Sequence, residues 1–378
     1  MQTTNNPVNP VNAAQRDALQ VQAERPHQPT AVTPTTTAGK VDSPRTAVAT
    51  ALHAISPFAN AIRVPRMKGK LSNSITKAVM TYPRLHALIQ QGFGQGRGDG
   101  YKPWIRVTKR NSSPHSNLYV LRIATQLRGL HLLAGTEFRA AHLAAWLGSL
   151  EIREQFPLWP HSAPHPLAGL HPERDEKLPS TRGLLAIADE AGIAHGEYVG
   201  TDIPYVATTD LVLRIGQPPV DRLVFWSIKP LEMMIQGPRS RRVLERLEME
   251  RRYALSVGAA HRVINGTEMN KHLIENLDWL MPLRSEFSGL LHPETLQAFT
   301  AEYAVPAKTG EKLKVCIEHA TRALKLNDKQ GFSLFRGATW LGLTDIDLTR
   351  PIIMSRQPTK GGSEHLRSMQ QALLGATK

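Results

Sequence analysis

One cysteine, Cys316, stands in 378 residues, so no disulfide can form within the chain and a four-cysteine zinc site is excluded. No run approaches the roughly 18 consecutive apolar residues of a membrane span. The opening "MQTTNNPVNPVNAAQRD" lacks the basic-then-apolar order of a secretory leader. These absences predict a soluble, intracellular protein with no membrane partner. Acidic residues are also scarce: 32 Asp and Glu face 46 Lys and Arg, a formal charge of +14 and a pI near 10.0. Such an excess of cations favours polyanionic partners through counterion release, and nucleic acid is the first to consider.

The length corresponds to roughly two to three domains. Residues 1 to about 45 are rich in Pro, Thr, Ala, Asn and Gln, too poor in large apolar side chains to offset chain entropy. A basic arm follows, with "RVPRMKGK" as its densest patch, read either as a DNA-grazing segment or as a solubilising leader. Together, residues 1–80 are expected to be a disordered or weakly ordered tail. Folded structure is expected from near Thr81, where "YPRLHALIQQGFG" spaces Leu85, Leu88 and Ile89 helically and stops at glycine. The next stretch, "GFGQGRGDGYKPW", fits neither nucleotide-loop spacing. It reads as a flexible connection or as backbone approaching DNA, with Arg97, Lys102, Arg106 and Lys109 supplying charge.

Beyond it the order is strand, the helix "GTEFRAAHLAAWLGS", a strand in "LEIREQFPLWP" ending at Pro157, a short helix, two strands, the helix "PRSRRVLERLEMERRYALSVG" with Pro238 near its start and Gly258 beyond its end, and one more strand. That alternation predicts an α/β fold with a mixed sheet over 81–265. From 266 to 354 the pattern becomes helical, with Thr267 as an expected cap and Pro293 near a helix start, suggesting a small winged-helix-like domain. Residues 355–378 are polar and read as a mobile tail.

Charge inside apolar strands marks the chemistry. Asp210 sits in "TTDLVLRI", and Lys229 ends "LVFWSIKP", two residues from Ser227 and therefore on the same strand face. An acid on one strand, an x-K on the next and a glutamate from an upstream helix are the parts of a phosphodiester-cleaving site. Carboxylates hold a hard cation through oxygen, Mg²⁺ usually, and a lysine beside the bound water stabilises developing charge. Glu137, in the first turn of its helix, fits either as that glutamate or as an acid favoured by the helix dipole. Asp202 is a rival to Asp210. Glu245, Glu248 and Glu250 fit solvent-side ion pairs with nearby arginines. His161, His165 and His171, in "PHSAPHPLAGLHP", lie in a proline-rich loop with no evident fourth zinc ligand.

Several ordered blocks lie around this D-x16-S-x-K pattern: "GFGQGRGDGYKPWI", Glu137, "EIREQFPL", "YVATTDLVL", "SIKP", "LERLEMERRY" and "EMNKHLIENLDWL". In this order they resemble the TnsA endonuclease subunits of heteromeric transposases, a branch of the PD-(D/E)xK restriction-endonuclease-like superfamily. The resemblance runs from about Tyr82 to Asp347. It implies a restriction-endonuclease-like mixed sheet flanked by helices, followed by a helical C-terminal domain that contacts partner proteins. It also implies a bacterial, cytoplasmic enzyme that cuts the 5′ strands at transposon ends in double-stranded DNA, beside a TnsB-like transposase and a TnsC-like ATPase. By the same resemblance Asp210 and Glu137 would bind Mg²⁺, or Mn²⁺ in its place, with the Ile228 carbonyl. Lys229 would be the catalytic lysine, and Glu250 matches an acidic helix position. Ser227 departs from the family, which carries an acid or glutamine there. A stand-alone nuclease and a DNA-binding assembly subunit with a decayed site are the alternative readings.

Overall fold

The computed structural model describes residues 79–108, 117–119, 128–217, 220–235, 240–281 and 292–375. The expected N-terminal tail, its basic patch and Lys109 lie outside the described residues. Helix α1 (Tyr82–Gln90) begins where Thr81 caps it, the hydroxyl accepting from Arg84 N–H, with Pro83 in its first turn. The glycine run then folds back: Gly94 N–H donates to the Lys102 carbonyl and Lys102 N–H to that of Gln95.

A four-stranded sheet forms the centre, in the order β3 (Glu151–Leu158), β4 (Ala207–Gln217), β5 (Val220–Lys229), β6 (Ala260–Asn265). The first two junctions are antiparallel and the last is parallel. A two-stranded ribbon, β1 (Asn117–Tyr119) with β2 (Leu130–Leu132), precedes it. Alternation along β4 explains the layering. Leu211, Leu213 and Ile215 join one core with helix α2 (Gly135–Trp146), while Val212 joins the opposite core with Leu223, Phe225, Met249 and Tyr253. Met249 and Tyr253 belong to helix α3 (Ser240–Ser256), so a helix covers each face. This is the restriction-endonuclease-like arrangement expected. Strand β3 reaches Leu158, one residue past the expected stop at Pro157, which pairs with Thr208.

The C-terminal region is helical: α4 (Lys271–Leu280), α5 (Pro293–Lys308), α6 (Leu313–Ala323) and α7 (Asp328–Trp340). The cap of α4 is Asn270 rather than the expected Thr267. The reason is local: the Thr267 hydroxyl donates to Asn265 Oδ1 at 2.8 Å, which holds it to the end of β6. One apolar core runs from α2 and β4 through Leu277, Phe299, Cys316 and Phe335, crossing the expected boundary at 265/266.

The expectation of a mobile tail from Ser355 is corrected. Helix α8 (Gly362–Leu374) buries Leu366, Gln370 and Leu374. It docks on the sheet domain, where Gln370 donates to the Leu147 carbonyl (3.0 Å) and Trp226 Nε1 to that of Leu373 (3.3 Å). Leu366 and Leu374, with the partly buried Met369 and Leu373, form the apolar stripe in an otherwise polar segment.

Candidate active site

Strands β4 and β5 pair from Gln217–Val220 as far as Leu211–Trp226, while β5 stays paired with β6 to Lys229. Past Trp226 the two strands are joined by side chains. The Thr209 hydroxyl donates to the Trp226 carbonyl (3.4 Å), and Asp210 Oδ2 accepts from Ile228 N–H and from Lys229 Nζ, both at 2.6 Å. The sequence pattern thus becomes an ion pair at the end of the antiparallel ladder. Lys229 is held above its usual pKa. Burial alone would lower it, but Asp210, Glu250 and Glu137 outweigh that and keep the ammonium charged.

Glu137 is 7% exposed in the first turn of α2. Its Oε2 accepts from Leu133 N–H (2.8 Å) and from Gln155 Nε2 (3.3 Å). Burial, then the charge of Asp210, push its carboxyl up to about 8, against the pull of Lys229. Glu137 therefore both satisfies the helix entry and shares a field with Asp210 and Lys229. Gly266, just after β6, allows this approach: a Cβ there would lie 2.6 Å from Thr136 Cβ and 3.0 Å from Ile228 Cγ2.

Glu250 faces inward from α3, 7% exposed, and accepts a short hydrogen bond from the Ser227 hydroxyl. Burial and Asp210 push its carboxyl up to about 7. The Ser227 oxygen also lies 2.8 Å from His261 Nε2. Burial and the neighbouring Arg251 and Arg262 hold that imidazole down at about 4, so it is neutral at pH 7. Glu245 and Glu248 take the solvent-side role instead, pairing with Arg241 and Arg242, and with Arg251 and Arg252. The three glutamates thus divide by helical phase, since two residues of helix turn Glu250 about 200° away from Glu248.

The other nominated residues lie elsewhere. Asp202 is exposed in the bend before β4. Arg97 is turned inward, its guanidinium donating to the carbonyls of Pro166 (2.8 Å) and Ala168 (3.0 Å). Lys102 and Arg106 are exposed; Lys102 Nζ donates to the Gln91 carbonyl (2.8 Å), and Arg106 lies over the Phe93 ring. Trp104, between them, donates its backbone N–H to the Gln155 carbonyl (3.2 Å), tying this segment to β3. His165 bonds to the Val257 carbonyl and His171 to Asp221, so those two rings serve separate contacts. Among the described residues, no three His, Cys, Asp or Glu side chains form a ready metal cage. Sequence reasoning missed His261 and Gln155; β3 also carries Glu151, Arg153 and Glu154, so its residue order does not single Gln155 out.

The raised carboxyl of Glu137 has a measurable consequence. Its folded pKa, about 8, lies above the unfolded value of 4.5, so the native state holds the proton more tightly. That contribution is present at low pH and is lost as pH rises towards 8. Across pH 5 to 8 the metal-free wild type should lose stability relative to Glu137→Gln, which carries no proton to release. Urea titrations at several pH values give the two curves, and parallel curves would contradict this environment.

No family model matches the chain. Over 201 residues it is 31% identical to the Transposon Tn7 transposition protein TnsA of Escherichia coli. The similarity is to TnsA. It covers 52% of this chain and 62% of that protein, so the chain spans a little under two thirds of the relative's length. The likeness read from the ordered sequence blocks is therefore borne out by direct alignment. No helix among the described residues is long and apolar enough to cross a membrane.

Proposed function

We propose that this chain is a metal-dependent DNA endonuclease subunit of a heteromeric transposase, cutting the 5′ strands at transposon ends. The observation that carries the reading is the Lys229–Asp210 pair, 2.6 Å apart at the end of the β4–β5 ladder, with the buried Glu137 and Glu250 near enough for their charges to act on Lys229. Similarity to a transposition protein supports the biological setting. Glu137 and Glu250 are buried and Asp210 is half-buried; burial first, and the charge of Asp210 second, push both glutamate carboxyls up, so that each is ready to ionise fully against an added positive charge. Oxygen donors of this kind suit a hard divalent cation, Mg²⁺ or Mn²⁺. Asp210, Glu137 and the Ile228 carbonyl would hold it. Once bound, such a cation neutralises phosphate charge and acidifies a coordinated water.

The chain's own groups supply the rest. Lys229, kept protonated, stabilises charge on the phosphate and positions the attacking water rather than accepting its proton. Ile228 N–H fixes one Asp210 oxygen. Ser227 is too short to replace the acid usual at its position, but its hydroxyl holds the carboxylate of Glu250, which brings an acid to that place from α3. This favours an active site over a decayed one.

The direct test combines the chain with its TnsB-like and TnsC-like partners, Mg²⁺ or Mn²⁺, and double-stranded transposon-end DNA labelled on the 5′ strand. Nicks at the ends are expected. An uncut strand in an assembled, folded complex would replace this reading with that of an assembly subunit.

Lys102 and Arg106 are the proposed phosphate contacts; Arg97 is committed to the fold and Lys109 lies outside the described residues. Neutralising both should weaken DNA binding and reduce the slope of log affinity against log salt by about 2, at roughly 0.9 per phosphate. An unchanged slope would assign their charge to solubility.

A further inference from the structure

Gln155 lies across the β3–β4 ladder from Asp210, between the pairs Glu154–Leu211 and Phe156–Thr209. Its backbone φ is 47°, in the left-handed region where an L side chain crowds its own backbone and glycine would sit freely. The side chain is 2% exposed, and both ends of its amide are engaged. Nε2 donates to Glu137 Oε2 at 3.3 Å, and Oε1 accepts from the Thr208 hydroxyl at 3.1 Å. Thr208 is two residues from Asp210 on β4. A buried residue kept in a costly backbone conformation while its amide spans two segments is the pattern that strain at functional sites takes. Leu133 N–H reaches the same Glu137 oxygen at 2.8 Å, so two donors converge there and fix the plane of the carboxylate.

We propose that Gln155 is a positioning residue: its amide locks the Glu137 carboxylate to the strand bearing Asp210, so that the two acids present a preformed oxygen pair to a divalent cation. This rests on the reading of Glu137 and Asp210 as cation ligands. Partners that orient a ligand in this way typically change metal affinity by about 10- to 100-fold when removed.

The test is calorimetric titration of Mn²⁺ alone into the purified, metal-free, full-length chain, with thermal melting of each variant alongside. Gln155→Gly removes the amide while suiting the left-handed backbone. Its Mn²⁺ dissociation constant should rise about 10- to 100-fold, and the melting curve checks that the variant is folded. Thr208→Val, which frees the far end of the amide, should raise it in the same direction but less. Wild-type affinity in Gln155→Gly would overturn the inference, whatever happens to its melting temperature. If Gln155→Gly does not fold, Thr208→Val decides alone, and wild-type affinity there overturns it equally. A flat isotherm from the wild type would instead bring down the cation-site reading, and the role of Gln155 with it.

Discussion

Asp210→Ala should leave the 5′ strand at transposon ends uncut in a reaction that still assembles with its partners, and Lys229→Ala should do the same. Both residues meet at 2.6 Å where β5 parts from β4, so each loss removes a group proposed to touch cation, water or phosphate. Losses on the order of 10³-fold or more are expected, because groups acting as one unit fail together. The double variant should therefore be little worse than either single one. A structural ion pair would behave differently. Side-chain exposures of 26% for Lys229 and 13% for Asp210 leave water access, so breaking the pair should lower stability modestly and rate hardly at all. Measuring nicking rate and urea midpoint on the same preparations separates the two. Rates within tenfold of wild type in folded Asp210→Ala protein would exclude the site.

Glu250→Gln should cost about 10²- to 10³-fold in cleavage while leaving stability unchanged or higher, on the scale of removing one charged or polar active-site group. The carboxyl is buried and pushed up to about 7 chiefly by desolvation, so its ionised form is unfavourable in the fold and an amide of the same shape relieves that cost. A purely structural glutamate predicts the reverse, with activity kept and the Ser227 hydrogen bond weakened. Ser227→Ala should be milder, about tenfold, because the hydroxyl holds the acid without replacing it. Activity retained in Glu250→Gln would return Glu250 to the structural side.

Much of the architecture was legible because it depends on local pattern. Period-two apolar runs located β4 and β5, glycine and proline punctuated α1 and α3, and ordered blocks carried the likeness to TnsA before any alignment. Misreadings came where a polar sequence conceals a sparse apolar stripe, as in α8, or where a neighbouring side chain captures a cap, as Asn265 captures Thr267.

Residue type and order establish the chemical inventory: an acid and a lysine in adjacent strands, a glutamate opening a helix, and a surplus of positive charge for a polyanion. Those depend only on residue type and spacing along one element. Tertiary structure alone decided which glutamate of α3 turns inward, that Ser227 reaches Glu250 and His261, and that Arg97 serves the fold rather than the surface. It also brought Gln155 onto Glu137, 18 residues away in the chain. Such contacts arise from the packing of helices on opposite sheet faces and from strands that part at one end. Spacing within a single segment carries no information about them.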